Sequence, residues 1–260
     1  MSCALDLCGQ AILITRPRHQ SENLRGSIEK AGGEAVVVPS IEIAEPSNPE
    51  KLGEITARLN DFDIAIFISA NAATMGLGWL RDHCISWPDH LAVAAVGRAT
   101  TAALEKQGIR VNIIPSGKYD SEGLLAHPAL QNASGKKVII FRGQGGREHL
   151  ARTLNDRGAH VEYAEVYERH MPDINLSQQL NGEQRNKISV IVTTSNQGLE
   201  NLVAMTDPDL RTWLFNTALI VLSERGAEKA KALGFHNTVA VTPQASDDAI
   251  LGTIKRIIEH

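Results

Sequence analysis

This chain carries an internal repeat. Arg16 follows the apolar run AILIT, and Arg142 follows VIIF 126 positions later. The same offset carries Leu24 to Leu150, Ile28 to Leu154, Gly32 to Gly158, Gly108 to Gly234 and Leu125 to Leu251. Between them, ISAN ending at Asn71 matches TTSN ending at Asn196 at an offset of 125. A duplicated unit predicts two similar lobes, and two lobes predict a cleft as the place for a ligand.

With 260 residues the chain is long enough for one large or two modest domains. Its net charge of −4 supplies no global basic field for nucleic acid or an anionic membrane, so an anionic ligand needs local donors. No apolar stretch approaches the roughly 20 residues that span a bilayer. The start, MSCALDLCGQAILITRPR, lacks the order of a secretory signal, and the expectation is a cytoplasmic protein. Cys3, Cys8 and Cys84 form no CxxC pair, and the nine histidines show no HExxH, so no metal site is expected. GxSxG is absent as well.

Apolar runs alternate with helical patterns almost throughout. The expected strands are 11–15, 34–43, 64–68, 91–96, 110–115, 137–141, 160–169, 189–194, 218–222 and 238–242. Most are continuously apolar, which suits parallel strands covered on both faces. The last helix is the clearest: Ser246 caps it, Asp247 and Asp248 sit in its first turn, and Ile250, Ile254, Ile257 and Ile258 form its inner face. The pattern predicts an α/β protein with two doubly wound parallel-sheet lobes. Segments 34–43 and 160–169 are longer and more polar than the rest, and occupy equivalent places in the two copies. They are expected to pair antiparallel as a two-stranded linker. The boundaries that follow are 1–36 with 172–260 for one lobe, 45–159 for the other, and 37–44 with 160–171 for the linker.

The candidate chemistry lies in the turns after strands. RGQGGRE (142–148) has Glu148 where the third glycine of a dinucleotide loop belongs, and no GxxxxGK[ST] occurs. A glycine-rich turn at a helix start still presents N–H groups to an anion, which nominates Arg142 and Gly143. Four further turns have the same form: Ser69, Ala70 and Asn71; Gly97 with Arg98 and Thr100; Thr194, Ser195 and Asn196; and Ser223 in SER (223–225). Singly, each reads as a helix cap. Together, at the carboxyl ends of strands, they suit a ligand with many carboxylates or phosphates. Arg16, equivalent to Arg142, joins them, as does Arg147. Tyr163 and Tyr167 lie four apart on one strand and should share a face. Tyr167 reads either as packing between lobes or as a proton donor to a leaving oxygen. A two-lobed protein that closes on a polyanion without chemistry is the competing reading.

ILITRPRHQSENLRGSIEKAGGEAVVVP, IFISANA, AVGRATTAALEKQGI, FRGQGGREHLARTLNDRGAHVEYAEVYER and SDDAILGTIKR resemble the uroporphyrinogen-III synthase family, from about Ile12 to Ile257. The resemblance implies a cofactor-free lyase of tetrapyrrole synthesis, with two α/β lobes on a β-linker. It implies closure of linear hydroxymethylbilane, a polycarboxylate, with inversion of its last ring through a spiro intermediate. The family's acid falls on Tyr167, and its binding turns on Ser69, Gly97 to Thr100, and Thr194 to Asn196. SERG (223–226) departs from the GxTT-like turn of some relatives, leaving Ser223 to substitute. The implied partners are the small-molecule substrate and, transiently, the preceding enzyme of the pathway.

Overall fold

The computed structural model describes residues 7–115, 117–146 and 148–259, so Cys3 and Arg147 lie outside the described residues. The chain divides into two compact units. One comprises Met1–Glu42 and His170–His260, the other Ile43–Arg169. Each is a parallel sheet flanked by helices. The strands are β1 (Ala11–Ile14), β2 (Glu34–Val37), β3 (Glu42–Ala44), β4 (Ile64–Phe67), β5 (Ala92–Ala95), β6 (Lys137–Gly143), β7 (His160–His170), β8 (Ile188–Val192), β9 (Ala218–Val221) and β10 (Val239–Val241). Among the described residues they form two five-stranded sheets, ordered β10-β9-β8-β1-β2 and β3-β7-β6-β4-β5.

The repeat is written into the hydrogen-bond register. Ala11 pairs with Glu34 in one sheet, and Lys137 with His160 in the other. Ile64 pairs with Ala92, and Val190 with Ala218. Ile12 pairs with Val190, and Ile64 with Val138. Every one of these pairs maps onto its counterpart at an offset of 126. The repeat and the structural unit are nevertheless different spans. The first copy supplies β1 and β2 to one sheet and β4 and β5 to the other; the second copy supplies β6 and β7, then β8 to β10, in the opposite sense. Each unit therefore combines half of each copy.

Glycine marks the equivalent turns. Gly32 and Gly158 have φ of 78° and 83°, and Gly108 and Gly234 have 81° and 111°. An L-residue in this left-handed region costs roughly 1–2 kcal/mol, which accounts for glycine at both members of each pair.

Continuous apolar strands put two layers on each sheet. In β4 and β6, Ala65, Phe67, Ile139 and Phe141 face one core, while Ile64, Ile66, Val138 and Ile140 face another. Phe67 and Phe141 stack at 4.5 Å. In β1, Leu13 and Ile14 likewise belong to separate cores. The last helix, Asp247–Ile258, starts as read, with the Ser246 side chain accepting from Ala249 N and Ile250 and Ile254 buried.

Three expectations are corrected. Segment 34–43 is not one linker strand: Glu34–Val37 pairs parallel with β1, and only Glu42–Ala44 lies beside β7. Segment 160–171 is not outside a sheet either, since His160 to Tyr167 pair parallel with β6. Its polar alternation reflects one partly solvated face beside a three-residue neighbour. Segment 110–115 is no regular strand. It makes an isolated bridge, Ala94 to Ile113, because the Asn112 side chain accepts from Val93 N where a ladder carbonyl would. Among the described residues, no helix is long and apolar enough to cross a membrane, and no group of three or more His, Cys, Asp or Glu could hold a metal ion.

Candidate active site

The turns singled out from sequence all follow strands and open helices. Ser69, Ser195 and Ser223 are N-caps with extended backbone, their Oγ atoms accepting from Ala72, Gly198 and Gly226 N at 3.1, 3.0 and 3.2 Å. Gly97 caps Arg98–Glu105 without a side-chain bond. The caps Ser69 and Ser195 are 126 apart, so the true alignment of this turn is one residue from the ISAN/TTSN match, and Asn71 and Asn196 are not equivalent. Helix N-termini leave N–H groups without intrahelical partners and carry partial positive charge, so each cap suits an anionic ligand group. Thr194, Ser195, Asn196 and Ser223 line one shallow depression in the first unit.

In the second unit, Tyr167 is the focus. A bulge in β7 decides where it points. Arg142 pairs with Glu165 but Gly143 pairs with Tyr167, so Val166 is the extra residue. Strict alternation would put Tyr163 and Tyr167 on one face. Instead Tyr163 packs with Val161, Ile64 and Ile140, while Tyr167 joins Phe67, Phe141 and Val166 across the sheet. The expectation of a shared face is corrected by that one-residue slip.

Tyr167 is 0% exposed, yet its hydroxyl has polar company. Arg169 Nη2 donates to Tyr167 Oη at 3.0 Å, and Ser69 Oγ lies 3.3 Å from the same oxygen. The ring rests on Gly143, where a Cβ would lie 2.5 Å from Tyr167 Cε2. Gly143 is therefore glycine to seat this ring, and Gln144 N adds a 2.8 Å bond to Tyr167 O.

Arg142, nominated as an anion contact, turns inward. It is 2% exposed, and its guanidinium donates to Gly143 O at 3.1 Å, to Gly145 O, and to Glu148 Oε1 at 3.1 Å. Its carbon centre lies 4.5 Å from the centroid of the Tyr163 ring. The sequence RGQGGRE supplies both the cation and the carbonyls that consume it. Tyr163 donates to Glu148 Oε2 at 2.5 Å. That bond, reinforced by Arg142, holds Glu148 below the usual carboxylate range. Burial first, and then the bond to Glu148, push Tyr163 up to about 12.

Arg16, its counterpart, is held differently. Nη1 bonds Asp247 Oδ1 at 2.8 Å, whereas Nε and Nη2 are buried with no partner among the described residues. Arg98 is exposed and stacks on Tyr119 at 4.7 Å. Thr100 is buried beside Leu104, so its turn offers backbone rather than the expected hydroxyl. Ala70 and Asn71 sit half-buried in the first turn after Ser69. The structure thus brings together Tyr167, Ser69 and Gly143 in one unit, and Thr194, Ser195, Asn196 and Ser223 in the other. Arg169 escaped sequence reasoning; its position two residues after Tyr167 was the only available signal.

The profile of the family described as Uroporphyrinogen-III synthase HemD matches residues 22–250. Uroporphyrinogen-III synthase of Escherichia coli K12 is 31% identical over 94% of this chain and its own full length, and that of Salmonella typhimurium LT2 is 32% identical over the same shares. Among solved structures, a mutant uroporphyrinogen III synthase from Thermus thermophilus superposes with a TM-score of 0.63 at 16% identity, covering 96% of this chain and 99% of that one. The enzyme from Helicobacter pylori 26695 gives 0.59 at 15% identity, covering 94% and 97%. These two show the same fold. The chain therefore belongs to the uroporphyrinogen-III synthase family.

Proposed function

We propose that this chain is a uroporphyrinogen-III synthase with Tyr167 as its proton donor. It is a lyase that closes hydroxymethylbilane and releases water. The phenol gives its proton to the terminal hydroxyl, the C–O bond breaks, and an electrophilic azafulvene remains. The last ring attacks through its substituted carbon to form the spiro intermediate, which opens and recloses inverted. The hydrogen lost by that pyrrole on final closure restores the phenol, so the proton balance closes. Because the bilane also closes without help to the uninverted isomer, the protein's task is control of geometry more than relief of a high barrier.

The observation that carries the Tyr167 assignment is the β7 bulge, which turns a buried phenol toward Ser69 and Arg169. Bulges recur beside active sites because they re-aim a side chain. The substrate's acetates and propionates are assigned to the capped turns at Ser69, Gly97, Ser195 and Ser223, and to Arg16, whose Nε and Nη2 have no partner among the described residues. Arg142 is assigned to holding the 143–148 turn. The finer reading of the fold is a two-stranded linker: the chain passes between units at Glu42/Ile43 and at Arg169/His170, in β3 and β7, which are neighbours in one sheet. The protein is read as cytoplasmic, with a transient contact to the enzyme that makes the bilane.

Purified protein incubated with freshly generated hydroxymethylbilane, with products resolved as isomers, tests the function. Isomer III is expected. Isomer I alone overturns it and leaves a binding protein.

A further inference from the structure

We infer that Arg169 and Ser69 form a proton-directing pair that aims the Tyr167 hydroxyl at the leaving oxygen and holds the phenoxide it becomes. This rests on Tyr167 being the acid. A tyrosine oxygen has one proton to give and two lone pairs to receive. Arginine has donors only, so the 3.0 Å bond from Arg169 Nη2 must fill one lone pair of Tyr167 Oη. Ser69 Oγ, 3.3 Å away, already accepts from Ala72 N at 3.1 Å as the helix cap. This contact can run in either direction; in the proposed arrangement the Ser69 proton fills the second lone pair, which leaves the phenol proton unspent. With both lone pairs occupied by donors, the phenol proton has neither neighbour as acceptor and points to a third group, the substrate hydroxyl.

The same two donors then face a full negative charge once the proton has gone. An anionic oxygen accepts more strongly than a neutral one from both donors, and adds direct attraction to the guanidinium charge, so the pair binds the phenoxide better than the phenol. The carbon centre of the Arg169 guanidinium also lies 5.5 Å from the centroid of the Tyr167 ring, which rests against the Gly143 backbone. Arg169 is a positioning residue: it acts through Tyr167 and is exposed at the end of β7, where substitution leaves the core intact.

A double-mutant cycle decides the matter. Turnover of hydroxymethylbilane is measured for wild type, Arg169→Met, Arg169→Lys, Tyr167→Phe and the Tyr167→Phe/Arg169→Met pair, with thermal unfolding of each as a folding check. Arg169→Met is expected to lower kcat by roughly 10- to 100-fold with KM nearly unchanged, the size of one lost charged hydrogen bond. Arg169→Lys, which keeps a cationic donor, recovers part of that loss. In the Phe background, Arg169→Met has no further effect, because the oxygen it serves is absent. If the arginine change slows the Phe enzyme as much as the wild type, or leaves kcat intact while Tyr167→Phe is slow, the pair is wrong and the Tyr167 assignment stands. If Tyr167→Phe runs at the wild-type rate, the assignment itself is wrong and the pair falls with it.

Discussion

The two units share the register of their central strands, yet they differ where β6 and β1 end. In one, β7 runs on for eleven residues, bulges, and delivers Tyr167 and Arg169 beside the Ser69 cap. In the other, β2 stops at Val37, and the position equivalent to Tyr167 is the buried Ile41. Gly143 corresponds to Pro17, whose ring occupies the place that Gly143 leaves open for Tyr167. Arg142 spends its donors on its own turn, while Arg16 has two nitrogens without a partner among the described residues. One duplicated scaffold carries the proposed proton-transfer site in one unit only, while the helix caps proposed to meet carboxylates occur in both. Strand extension and one inserted residue are enough to set the two units apart.

The sharpest way to break that contrast is Tyr167→Phe. It is expected to slow turnover roughly 100-fold, the low end of the range for losing a general acid, while Ile41→Val at the equivalent place leaves kcat unchanged. Steady-state assays with isomer analysis check both, and equal effects at the two positions sink the asymmetry.

Next in size is the arginine pair. Arg142→Met strands the Gly143 and Gly145 carbonyls and is expected to cost about 2–3 kcal/mol of stability in urea unfolding. Arg16→Met breaks one partly exposed ion pair and is expected to cost about 1 kcal/mol or less, but to raise KM. Interchanged results would put the structural arginine in the other unit.

Gly143→Ala tests the seat. A Cβ at 2.5 Å from the Tyr167 ring forces a shift of the ring or of β6, with a cost of about 1–3 kcal/mol and a fall in kcat at nearly constant KM. Normal turnover in a folded alanine variant would show that the phenol needs no such support.

The smallest effect is electrostatic. Glu148 is held below the usual carboxylate range, first by the Tyr163 hydroxyl and then by Arg142. A depressed carboxylate contributes stability that is present above its unfolded pKa of about 4.3 and is lost as pH falls through the native value. Tyr163 is pushed up to about 12, so its contribution is complete below its unfolded pKa of about 10 and is lost as pH rises toward 12. Glu148→Gln is expected to flatten the acid limb of the urea midpoint against pH, by a modest amount because the carboxylate is 56% exposed. An unaltered acid limb would remove Glu148 from the clamp.

The amino-acid order alone determined the duplication, the α/β class, nearly every strand, and the serine caps, because each is local: apolar runs at strand length, cap residues before helices, glycine where φ is positive. Segment 110–115 shows the limit, since the side chain of Asn112 replaces a ladder bond that apolar content cannot reveal. Which face Tyr167 occupies was decided by tertiary structure, because a bulge is a property of two paired strands and shifts every side chain beyond it. The same holds for Arg142, which looks like a ligand for anions in the sequence and becomes the internal brace of its own turn once Gly143, Gly145 and Glu148 close around it. Only the folded register sets those oxygens within reach of one guanidinium, and a buried cation takes the partners nearest to it.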